Sequence, residues 1–107
     1  GVVAIVSNCV IAPLFFNESV HIWGGGAFGR LVFSILQRNG FTAAGFIDSD
    51  PGKQGQLMEG IKVVSPQEAF DRADLKVIVA SQPGMFDIAE TLESQGLRHL
   101  DDYVVFF

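Results

Sequence analysis

The sequence predicts an α/β domain of three layers, a mostly parallel sheet between helices. Three observations carry that expectation. Short β-type runs alternate with helical patterns along the chain, as in folds whose parallel strands are joined by helical crossovers. The run Leu75 to Ala80 is apolar and β-branched with no polar alternation, which suits a strand covered on both faces. A glycine-rich turn, Gly24 to Gly29, stands between one such run and an amphipathic helix.

In chain order, Val2 to Phe16 carries no charge and is interrupted by Ser7, Asn8 and Pro13. At about 15 residues it is shorter than the ~20 that span a bilayer. No basic stretch precedes it as in a signal peptide, so it is expected to be an extra buried strand, with a membrane-proximal remnant as the alternative. This divides the chain into an apolar segment, 1–19, and a folded domain, 20–107. Val20 to Trp23 reads as the first central strand. From Ala27 to Asn39, Phe28, Leu31, Val32, Ile35 and Leu36 repeat on one helical stripe, and Gly40 stands where a left-handed cap ends a helix.

Thr42 to Ile47 is the second strand, and the polar stretch from Asp48 through Gly60 reads as irregular loop. Ile61 to Val64 is a short strand. Ser65-Pro66-Gln67-Glu68 joins an N-cap serine, a proline at the first helical position and a glutamate at the third, opening a helix expected to reach Ala73. Leu75 to Ala80 is the next strand. Met85, Ile88, Ala89 and Leu92 then mark a helix that stops at Gly96, and His99 to Phe107 is the final strand.

Composition narrows the function. One hundred and seven residues fall below the ~150 of a typical domain, so a single module is expected. Ten Phe in a chain that is 49% hydrophobic and 18% charged suffice for a packed core. Seven Lys and Arg against twelve Asp and Glu leave a net charge of -5, the wrong sign for neutralising nucleic-acid phosphates. A lone cysteine, Cys9, with no Cys/His cluster points to a reducing compartment, the cytoplasm, and to no metal site. Asn17-Glu18-Ser19 fits the glycosylation pattern, but without secretion it is a turn.

The turn Gly24-Gly25-Gly26-Ala27-Phe28-Gly29 satisfies G-x-G-x-x-G between strand and helix, the Rossmann-like arrangement. Gly24 permits the tight turn, Gly26 lets a diphosphate approach the backbone, and Gly29 allows close packing of helix on strand. The helix start near Ala27 offers free N–H groups and a positive dipole end to an anion. Asp48 closes the second strand, near the ~20-residue offset at which an acid bonds a ribose hydroxyl, a placement that favours NAD over NADP.

Ser81 and Gln82 follow another strand at the same end of the sheet, available to a base or sugar, or alternatively to a turn and helix cap. Lys53 and Gln54 on the polar loop are candidates to reach a phosphate, but a lone lysine on a loop is expected to be solvated. His21 and His99 lack an orienting partner and are expected to be structural. Cys9, in an apolar run, is expected to be inert, and Asp101-Asp102 to form a solvated turn. No catalytic centre is visible.

The stretches Val20 to Arg30, Ala44-Gly45-Phe46-Ile47-Asp48-Ser49-Asp50, Lys53-Gln54-Gly55 and Gly60 to Pro66 together resemble a bacterial nucleotide-binding domain. It is the N-terminal domain of UDP-amino-sugar and sialic-acid acetyltransferases, similar also to the Rossmann-like module of nucleotide-sugar dehydratases and dehydrogenases. Asp50 to Gly55 is more loosely similar to the C-terminal domain of sugar C-methyltransferases. The acetyltransferase resemblance implies that Gly24, Gly26, Gly29, Asp48 and Asp50 hold the uridine nucleotide of a UDP-sugar.

Phe28 stands where those acetyltransferases commonly have histidine, and Ser49 where a second acid follows. Their hexapeptide-repeat domain has no counterpart here, so a binding module of a larger sugar-modifying protein is expected rather than a complete enzyme. The alternatives are an NAD-dependent oxidoreductase or a fragment of one, and a regulatory or assembly domain. Apolar ends at Val2 to Phe16 and Tyr103 to Phe107 predict a homodimer or an exchange of strands.

Overall fold

The structure, a computed structural model, describes residues 4–6, 9–11, 19–24, 26–81 and 84–105. It contains β1 (Ala4–Val6), β2 (Cys9–Ile11), β3 (Val20–Trp23), α1 (Ala27–Arg38), β4 (Gly45–Ile47), β5 (Leu57–Met58), β6 (Ile61–Val64), α2 (Pro66–Phe70), β7 (Lys76–Val79), α3 (Met85–Ser94) and β8 (Tyr103–Val105). Six strands form one sheet in the order β5-β6-β4-β3-β7-β8, parallel throughout except for β5. The α/β expectation therefore holds, with the strand order reversing at β3.

Strand alternation sends side chains to opposite faces, and both faces are apolar. Val20, Ile22, Phe46, Val63 and Ile78 meet Val32, Phe33 and Leu36 of α1 on one side. Trp23, Ile47, Val64, Val77 and Val79 meet Ala69 of α2 and Leu92 of α3 on the other. Each fully buried aliphatic or aromatic side chain contributes about 1.5–3 kcal/mol to holding the layers together.

The helix ends follow the sequence signals. Beyond α1, Gly40 takes φ 83° while its N–H donates to Gln37 O and that of Phe41 to Leu36 O, the two bonds of a left-handed glycine cap. Ser65 Oγ accepts from Glu68 N at 3.1 Å, satisfying a donor that α2 would leave free. That helix stops at Phe70 rather than Ala73, because the chain turns through Asp74 at φ 54° and Ala73 O accepts from Ser19 Oγ.

Three further expectations are corrected. The N-terminal segment is not one strand: β1 and β2 pair antiparallel as a separate two-stranded sheet, and its other residues lie outside the described ones. The polar stretch before Gly60 is not all loop, since β5 pairs with β6 through a two-residue turn at Glu59 and Gly60, both at positive φ. The last strand covers only Tyr103–Val105, with 106–107 outside the described residues. Ahead of it, Arg98 to Asp102 form a turn in which Asp102 Oδ2 accepts from Arg98 N at 2.9 Å, and Lys76 Nζ holds Asp102 Oδ1, also at 2.9 Å. That lysine bond, more than the other groups around it, lowers the Asp102 pKa.

His21 is structural, as expected. Its imidazole, 1% exposed, lies opposite Gly45 across β3 and β4, and Nδ1 donates to Ser19 O at 2.8 Å. A Cβ on Gly45 would stand 2.9 Å from the ring, so glycine there makes room for it. Desolvation lowers the His21 pKa below its ordinary 6.5, with Ser19 and Glu68 raising it and Arg72 adding to the lowering. The unfolded chain therefore takes up this proton at higher pH than the folded one. The contribution is full above pH 6.5 and is lost as pH falls below it toward the folded pKa. Urea midpoints measured between pH 7.5 and 5.5 are expected to fall with pH, and to fall less in His21→Gln; equal slopes would show that this histidine does not govern acid sensitivity.

Candidate functional site

At the carboxyl ends of β3, β4 and β7 the chain leaves the sheet three times, and the exits enclose a cleft of about 500 Å³. Trp23, Gly24, Gly26, Ala27 and Phe28 form its floor, Asp48, Ser49 and Lys53 one end, and Ala80, Ser81, Gly84, Asp87 and Ile88 the other. The location is the crevice beyond the strand ends at which parallel sheets reverse order.

The glycine turn is fixed by backbone bonds on both sides. Gly24 N donates to Ile47 O and Ala80 N to Trp23 O, both at 2.9 Å, tying it to the ends of β4 and β7. Gly24 has φ 144°, and a Cβ there would lie 2.6 Å from Ala80 O. A Cβ on Gly29 would overlap Gly24 O, so the first turn of α1 rests directly on the strand exit. At Gly26 a Cβ would meet nothing within 4 Å.

The first turn of α1 has no acidic residue, and its N-cap, Gly26, supplies no side-chain bond. The positive end of the helix dipole thus faces the cleft without an acid in its own first turn. Asp48 stands at the end of β4. Its Oδ1 accepts from Asp50 N at 2.8 Å and its Oδ2 lies 3.7 Å from Lys53 Nζ, which orients the carboxylate.

Of the residues singled out in the sequence, Gly24, Gly26, Ala27, Phe28, Asp48 and Ser81 line the cleft, and Gly29 supports it from beneath. Asp50 is not in the lining: its Oδ1 accepts from Gly52 N at 2.9 Å, and its amide holds Asp48. Gly25 and Gln82 lie outside the described residues. Trp23, Ser49, Ala80, Gly84, Asp87 and Ile88 also line it, though none was singled out as a site residue in the sequence; Lys53 is a lining residue rather than only a solvated one, and Gln54 is part-buried with Nε2 donating to Asp48 O at 2.8 Å. Asp87 had a signal, since it sits in the first turn of a helix that starts at the same end of the sheet.

His99 lies outside this cleft, its ring tilted by 41° against Tyr103 with centroids 5.2 Å apart. The Tyr103 hydroxyl donates to Glu93, and burial together with that carboxylate pushes its pKa up to about 12. Among the described residues no group of three His, Cys, Asp or Glu is placed to hold a metal ion, and no helix is long and apolar enough to cross a membrane.

A parallel sheet reversing at β3, a glycine turn at its strand end and an acid closing β4 define a Rossmann-like domain. Residues 16–100 match the CoA binding domain family, and the chain belongs to it. It is 35% identical over 75 residues to UDP-N-acetylmuramoylalanine--D-glutamate ligase of Mycobacterium avium and to that of Mycolicibacterium paratuberculosis. The match takes in 69% of this chain and spans only 15% of either ligase.

Among solved structures it is similar to UDP-D-quinovosamine 4-dehydrogenase from Vibrio fischeri, with a TM-score of 0.61 and 25% identity over 80% of this chain and 73% of that one. The Rex-family repressor RSP, solved also with β-NADH, gives a TM-score of 0.61 at 18% identity over 81% of this chain and 50% of its own, a likeness of fold alone.

The three motif glycines separate stability from access. Gly24→Ala and Gly29→Ala are expected to destabilise the domain by about 1–3 kcal/mol, the usual scale of strain and overpacking. Gly26→Ala should leave the midpoint of thermal unfolding within about 0.5 kcal/mol of wild type, as for surface changes. Equal losses at all three positions would contradict the packing described.

Proposed function

We propose that residues 20–107 are a nucleotide-binding module that seats a ligand's diphosphate at the start of α1 and bonds its ribose through Asp48, with residues 1–19 as an appendage. One observation carries this reading. The uncapped, acid-free first turn of α1 opens through Gly26 onto a cleft of about 500 Å³ with a fixed carboxylate at one end. Anions gain at such a helix start, where N–H groups point outward and the dipole is positive. The carboxylate is an acceptor for ribose hydroxyls and repels a phosphate on the same sugar.

Family membership supports the diphosphate half of the reading, because CoA is a diphosphate-bearing nucleotide; the phosphate that CoA also carries on its ribose is one that Asp48 opposes, so a ligand with an unphosphorylated ribose is favoured. Further support comes from a neighbour that acts on a UDP-sugar and from one solved with NADH. The first supports a nucleotide-sugar ligand, alongside the acetyltransferase-like pattern from Val20 to Pro66, and a role in bacterial surface-polysaccharide or sugar modification in the cytoplasm is part of the same proposal. The second reading is an NAD-binding domain, favoured by Asp48 at the end of β4. In either case the reading is of a module that binds: the described lining has two serines, two acids and a lysine but no histidine or cysteine to form a nucleophile–base pair.

Self-association belongs to the same proposal, since Phe86 is 79% exposed and Leu100 70%. Sedimentation at micromolar concentration is expected to give a dimer mass, and a strictly monomeric one would reject this part. For the ligand, thermal unfolding is measured with UDP, UDP-N-acetylglucosamine, NAD, CoA and S-adenosylmethionine at millimolar concentration. A ligand at 100 times its Kd stabilises by roughly 2.7 kcal/mol, several degrees in a domain of this size. One ligand is expected to raise the midpoint in wild type and to lose that effect in Asp48→Ala and Gly26→Ala. No shift with any of them would overturn the proposal.

A further inference from the structure

The cleft extends past the start of α1 to a second carboxylate. Asp87, in the first turn of α3, shares the cavity with Ser81, Gly84 and Ile88, on the far side of the glycine turn from Asp48. Its main-chain carbonyl accepts from Thr91 Oγ1 at 2.9 Å, but among the described residues nothing pairs with its exposed carboxylate. The lysine in the described lining, Lys53, is at the opposite end beside Asp48.

Sheet order gives this arrangement its meaning. β4 and β7 flank β3, so a ligand whose diphosphate lies over the glycine turn has one half at Asp48 and the other running toward Ser81 and Asp87. A carboxylate accepts hydrogen bonds and donates none, so it favours hydroxyl groups and opposes a further phosphate. Trp23 and Ile88, apolar and in the same lining, offer a surface for the carbon face of a ring.

We propose that Asp87 is a specificity-determining residue whose carboxylate accepts hydrogen bonds donated by the hydroxyls of a sugar ring on the far side of the diphosphate. It thereby selects sugar-bearing nucleoside diphosphates over the bare diphosphates. This rests on the nucleotide-binding reading above. The hydroxyls have two sources of one chemistry, the hexose of a nucleotide-sugar or the second ribose of a dinucleotide.

The test is calorimetric titration of wild type, Asp87→Ala and Asp87→Asn with two pairs of ligands, UDP against UDP-N-acetylglucosamine and ADP against NAD. In wild type the sugar-bearing member of one pair is expected to bind at least about tenfold tighter than its bare diphosphate, the scale of hydrogen bonds to a charged acceptor. The pair that shows the preference identifies the source. Asp87→Ala should bring that ratio close to one while the bare diphosphate binds as well as before or better, and Asp87→Asn should lower it severalfold.

An unchanged ratio in both variants, or no preference in wild type while a bare diphosphate binds, would overturn the role of Asp87 and leave the nucleotide site standing. No binding of any of the four ligands to wild type would instead remove the nucleotide site, and this inference with it.

Discussion

The contact on which the site depends is between two backbones, the first turn of α1 and the strand exit at Gly24. Gly29 has no side chain to hold the two apart, so α1 begins directly over the end of β3. The same exit is bonded to β4 through Gly24 N and to β7 through Trp23 O. Three strand ends and one helix start are thereby fixed with respect to one another. The cleft is a consequence of that junction rather than a feature carved into its surface.

From this junction follows an axis of charge. The helix start is positive and lies in the middle, with Asp48 beyond β4 on one side and Asp87 beyond β7 on the other. Such a sequence of acceptor, donor and acceptor matches a molecule with a diphosphate in its centre and hydroxylated groups at either end. Lys53 moderates the charge on the Asp48 side only, so the two ends differ in what they tolerate.

Much of this was legible in the sequence, and for physical reasons. β3 and β7 could be read because strands covered on both faces must be apolar throughout. α1 could be read because its stripe ends at a glycine that alone enters the left-handed region easily. Gly24, Gly26 and Gly29 were placed because backbone approach leaves no room for side chains at fixed spacing. β5 was not legible, being two residues of hairpin whose turn, Glu59-Gly60, lacks the usual asparagine or aspartate. Asp87 was passed over because its helix start is assigned by apolar periodicity, which is silent about the polar face. The pairing of β1 with β2 was not legible because an uncharged run of residues does not show where one strand ends and the next begins.

The buried histidine of β3 has a different kind of consequence. His21 and Gly45 fill one volume between two strands, the imidazole taking the space that a side chain at 45 would need. Neither position is free to vary alone: a larger residue at 45 requires a smaller one at 21, although a whole helix separates them along the chain. The two positions therefore act as a single packing unit, and a substitution at one is tolerated only where the other yields the space.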